Sequence, residues 1–102
     1  MLNLQTSVIR HDRIVSTLVD NEVVMLDSDS GSYRALNAVG TYIWELLKES
    51  RNVREICDAV MEEFDVEKAI CEKEIPEFVE KLISENLLVM NPDKFFDLKK
   101  EW

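Results

Sequence analysis

The sequence predicts an α+β domain in which a three-stranded antiparallel sheet is followed by three helices. Three observations predict it. Up to residue 36, β-branched and other apolar residues gather in short runs separated by turn residues. At Asn37 the apolar period lengthens from two to about 3.6 residues. With 102 residues, 46% of them hydrophobic and 32% charged, the chain has material for one small core and not for two.

The first predicted strand is "IVSTLV" at 14–19, and "DNE" turns the chain into a second, "VVMLD" at 23–27. "SDSG" reads as a turn in which Gly31 takes a positive φ, and "SYRAL" at 32–36 makes the third strand of a meander. Asn37 caps the first helix; Val39, Tyr42, Ile43, Leu46 and Leu47 form its apolar stripe, with Trp44 on the flank. Gly40 inside that helix costs roughly 1 kcal/mol relative to Ala, which close packing of a neighbour against the backbone would justify. Asn52, followed by Glu55, has the spacing of a capping box for the second helix, whose stripe is Val53, Ile56, Cys57, Val60, Met61 and Phe64. Asp65 caps the third, with Cys71, Ile75, Phe78, Val79, Leu82 and Ile83 on one face. Pro76 predicts a kink there, or a helix that restarts nearby. Asn86 stops the helix, and "LLVM" at 87–90 is one more extended piece. The domain is therefore expected over 1–90. The tail at 91–102 carries Phe95, Phe96, Leu98 and Trp102, and docking on its own domain is preferred to fraying or to meeting a partner.

The formal charge is -9, from 21 acidic and 12 basic residues, so phosphate backbones and anionic lipid surfaces are repelled at long range. No apolar run approaches the roughly 20 residues a membrane span needs, and the first ten residues lack the apolar centre of a signal peptide; the expectation is a cytosolic chain. Cys57 and Cys71 lie 14 positions apart, without the C-x-x-C spacing of a zinc or redox site, and read as small buried hydrophobes. His11 in "RHDR" has no cluster of other ligands and reads as a surface side chain. "DSDSG" lacks the downstream glutamate of a calcium loop. No Ser-His-Asp set, carboxylate pair or phosphate loop is present, so neither catalysis nor a cofactor or metal is predicted. The order of elements is winged helix-turn-helix-like, an arrangement that often binds DNA. Yet the third helix sets Glu67, Glu72, Glu74, Glu77, Glu80 and Glu85 against Lys68, Lys73 and Lys81, the wrong balance for contacting phosphates. Pairs such as Glu77 and Lys81 suit an ordinary solvated face.

"VVMLDSDSGSYRALNAVGTYIWELL", then "VREICDAVMEEFDV", Cys71, "FVEKL" and "ENLLV", resembles the PqqD-like family, in particular its small stand-alone members found with lasso-peptide biosynthesis. The resemblance covers residues 13–90. It implies a RiPP recognition element, a non-catalytic module that holds the leader of a ribosomally made precursor peptide as an added strand and presents it to an enzyme. By that resemblance the strand edge is Ser32, Tyr33, Arg34, Ala35 and Leu36, and the helix wall is Cys71, Glu74, Ile75, Phe78, Val79 and Leu82. Alternation turns either Tyr33 and Ala35 or Arg34 and Leu36 into the groove. Leu36 and Val79 serve equally as core, while Tyr33 and Phe78 suit an anchor site. Pro76 and the long tail depart from the family pattern. The expected partners are the leader peptide and a separate lasso-pathway leader peptidase. The alternatives are a radical-SAM peptide modifier of the PQQ type served by the same module, a winged-helix regulator, and a small dimerisation domain.

Overall fold

A computed structural model describes residues 2–12, 14–27 and 30–90. The expected tail at 91–102 lies outside these. Six strands and three helices follow in the order β1 (Ser7–Arg10), β2 (Ile14–Val19), β3 (Glu22–Asp27), β4 (Ser32–Ala35), α1 (Ala38–Leu46), β5 (Arg51–Asn52), α2 (Val53–Glu63), α3 (Lys68–Ser84) and β6 (Leu88–Met90).

The predicted meander is β2-β3-β4, antiparallel throughout. Its hairpin turns on Asp20 and Asn21, at φ 53° and 69°. Two central residues with positive φ follow the right-handed twist of the flanking strands, which fixes the register from Ile14↔Asp27 to Val19↔Glu22. Gly31 takes the expected positive φ, 73°. A second sheet, β5-β1-β6, escapes the sequence reading except for β6. Its strands are two to four residues long, too short for an alternation of polarity to stand out. Pairing of Val8 with both Arg51 and Met90 buries Val8 completely.

One helix face is covered more fully than its stripe suggested. Trp44 is 1% exposed and belongs to the core, not its flank, because α1 packs against both β3 and α2. The indole Nε1 donates to Ser16 Oγ at 3.1 Å, and the Arg10 guanidinium lies 4.7 Å from the ring centroid. Thr41 joins α1 to the meander: its Oγ1 accepts from Val23 N at 2.9 Å and donates to Leu36 O at 3.2 Å.

Asn37 caps α1 through Gly40 N, and Asn52 and Glu55 form the full capping box of α2. For α3 the cap is Glu67 and no side chain serves it, where Asp65 was expected. Phe64 and Val66 pack extended against the core, which delays the helix start. The helix then runs without restarting through Pro76. Cys71, Ile75, Val79 and Leu82 keep one face buried across the break in its hydrogen bonding. At its end Asn86 takes φ 63°, Leu87 N donates to Leu82 O at 2.9 Å and Asn86 N to Ile83 O at 2.9 Å. This Schellman closure seats Glu85 as the last residue before the turn. Among the described residues no helix is long and apolar enough to cross a membrane.

Candidate functional site

β4 is an edge strand, bonded to β3 on one side and to no other strand among the described residues. Leu36 N donates to Val23 O at 2.9 Å, continuing the β3 register in which Arg34 faces Met25. In an antiparallel pair, alternate residues turn their backbone groups toward the partner. Arg34 therefore spends its groups on β3, Leu36 gives β3 its N–H while its C=O accepts from Thr41 Oγ1, and Tyr33 and Ala35 hold N–H and C=O groups out along the open edge. Side chains alternate on the perpendicular axis. Arg34 shares the face of Met25, which is 1% exposed, so Arg34 and Leu36 point inward. Tyr33, at 76% exposed, and Ala35 stand on the outer face with Val15 and Val24. In this register Tyr33 offers the edge its backbone, and its side chain stands on the face opposite Arg34.

One hollow lies along this edge, and a second lies apart from it among the helices. The first, about 540 Å³, is lined by Ser30, Ser32, Tyr33, Arg34 and Ala35 from the strand side, and by Met25, Glu85 and Leu87. Across it an Arg34 Nη2 to Glu85 Oε1 ion pair links β4 to the end of α3, both side chains being one-third exposed. The second hollow, about 300 Å³ and mostly apolar, lies between α1 and the first half of α3. Cys71, Glu74, Ile75 and Phe78 line it with Val39, Gly40 and Ile43. The expected strand edge and helix wall thus gather around separate hollows. Val79 and Leu82, at 0% and 1% exposed, line neither and belong to the core, as does Leu36 at 5%.

Gly40 is where the two halves meet. A Cβ there would stand 3.2 Å from Leu36 Cβ and 3.4 Å from Phe78 Cζ, so the missing side chain lets the Phe78 ring close on α1. The signal was in the sequence, as a glycine inside a helix. Glu85 and Leu87 went unread as site residues because they lie past the apolar stripe of α3 and are brought in by the turn at Asn86.

Burial, then the neighbouring carboxylates Glu74 and Glu72, pushes the Cys71 thiol up. Burial foremost, then Cys71, Glu72 and Asp58, pushes Cys57 up to about 11. Both thiols are free and stay protonated at neutral pH, hence poor nucleophiles and poor metal ligands. No cluster of His, Cys, Asp and Glu fit for a metal ion occurs among the described residues.

Among solved structures, the chain is similar to TbiB1 in complex with the TbiA(beta) leader peptide. The TM-score is 0.74 at 36% identity, over 83% of this chain and 99% of that one. It also shares the fold of a lasso peptide synthetase B1 complexed with the leader peptide, with TM-score 0.71 and 23% identity over 80% of this chain and 96% of that one. No match is found among curated proteins. The family model described as coenzyme PQQ synthesis protein D matches residues 22–88, which span β3 to β6 and both hollows. With most of its length, including the open strand and the helix beside it, inside that match, the chain belongs to the PqqD family.

Proposed function

We propose that this chain is a non-catalytic adaptor that binds the leader segment of a ribosomally made precursor peptide and hands it to a separate modifying enzyme, a lasso-pathway leader peptidase. The observation that carries the reading is the unpaired edge of β4, with the backbone groups of Tyr33 and Ala35 turned outward along it. An extended segment added there gains main-chain hydrogen bonds, and the hollows select its side chains. The 36% identity to TbiB1, whose structure contains a leader peptide, supports the same use of this fold. The apolar hollow under Phe78 takes apolar anchors, and the polar one at Arg34 receives the segment where it runs along the strand.

Titration of the protein with the leader of the precursor encoded beside it tests this. Saturable binding at tens of micromolar or tighter is expected, about the range of modest peptide grooves. Phe78→Ala should weaken it about tenfold, as loss of an aromatic anchor does. No saturation up to several hundred micromolar removes the proposal.

A further inference from the structure

We propose that the Arg34–Glu85 ion pair is a strut that holds the edge strand at a fixed distance from the C-terminal end of α3, so that the hollow between them is already open to the right width before a peptide arrives. The inference rests on the peptide-binding reading and adds to it two positioning residues. β4 is four residues long and bonded on one side to β3. Its other side is unpaired, so its bonds to β3 and the Thr41 contact at Leu36 fix it from one side alone. Among the described residues, Arg34 with Glu85 is the one side-chain hydrogen bond or ion pair between β4 and α3. It spans the hollow of about 540 Å³ from the inward face of the strand to the C-cap residue that follows the helix.

Both ends are anchored. Arg34 sits opposite Met25 in the register of the sheet, and Glu85 is held by the Schellman closure at Asn86. A one-third-exposed pair of this kind adds little to overall stability, since solvent screens it and ordering two long side chains costs entropy. Its effect is local: a strand already placed does not lose that freedom when the peptide binds, and affinity rises accordingly.

Reversing the charges distinguishes a strut from a reader of the ligand's charge. Arg34→Ala, Glu85→Ala and the double reversal Arg34→Glu/Glu85→Arg are compared in two measurements: titration with the TbiA(beta) leader peptide, and hydrogen exchange of the Leu36 amide in the ligand-free protein. Each single variant should bind about tenfold more weakly, the scale of lost preorganisation. Each should also exchange at Leu36 at least about fivefold faster, as a loosened strand does. The double reversal, which rebuilds the pair, should return both readouts to within about threefold of the unaltered protein, the precision of such cycles. Unchanged singles overturn the strut. So does a reversal that restores exchange and not binding, because the charges would then be touching the peptide. If the unaltered protein ignores the peptide, the adaptor reading fails for this probe, and the exchange data alone then decide whether the strut exists.

Discussion

Thr41 holds two elements together with one hydroxyl. It is nearly buried, takes the N–H of Val23 and gives its proton to Leu36 O, and so satisfies backbone groups at the point where the meander meets α1. Thr41→Val keeps the shape and strands a buried N–H. Urea unfolding should show a loss of about 1–3 kcal/mol, the range for an orphaned buried donor. Cys57 makes a prediction in pH. Its folded pKa lies near 11, above its ordinary value of 9.0, because burial disfavours the thiolate. A group raised in the folded state leaves stability whole below its unfolded value and withdraws it as pH rises toward the folded one. Stability should therefore fall between about pH 9 and 11, and Cys57→Ala should flatten that decline in unfolding curves at fixed denaturant. At this scale the sequence was readable for the caps of α1 and α2, misleading at Asp65 for α3, and silent on strand phase. Asn37 and Asn52 declare themselves by residue type and spacing. Arg34 and Tyr33 do not, because Met25 and Leu26 on the neighbouring strand are both apolar and either phase buries one of them.

Among elements, α3 tests how far packing overrides local preference. Pro76 has no N–H to give the carbonyl of Glu72, yet the helix keeps a single span, since four buried side chains along it hold the face in place. Pro76→Ala restores that bond. Stability by urea unfolding should rise, on the order of 1–3 kcal/mol, up to the cost of proline in a helix interior. A fall instead would mean that the ring itself fills space no alanine can. The three helices and the meander were legible because each carries at least four residues of clear period. The sheet formed by β1, β5 and β6 was not, since two to four residues give no period, and only the fold brings Ser7–Arg10 between partners more than 40 and 75 residues away. The site was half legible for the same reason: positions on β4 and α3 follow from pattern and resemblance, while Glu85 and Leu87 enter it through a turn.

As a whole molecule the protein carries a charge of -9 and a sequence pI near 4.5. The DNA-binding alternative meets this field directly. A gel-shift experiment with duplex DNA at about 50 mM salt, where phosphate attraction is strong, should show no complex up to micromolar protein. Peptide binding should respond differently. With apolar anchors dominant, raising salt from about 50 to 500 mM shortens the screening length several-fold and should change the leader affinity by less than about threefold. A large salt effect would move the source of affinity from the apolar hollow at Phe78 to charge.

The brevity of β4 has its own consequence. Two exposed peptide units form a ledge rather than a rail, so the main chain of a guest is gripped over a handful of atoms. Sliding the guest by two residues would bring an equivalent set of backbone groups to the ledge, so the ledge fixes direction and phase, and alignment has to come from side chains lodged in the hollows. On the adaptor reading, drift in the cargo would then be tolerated along the ledge and not at the residues that fill the hollows.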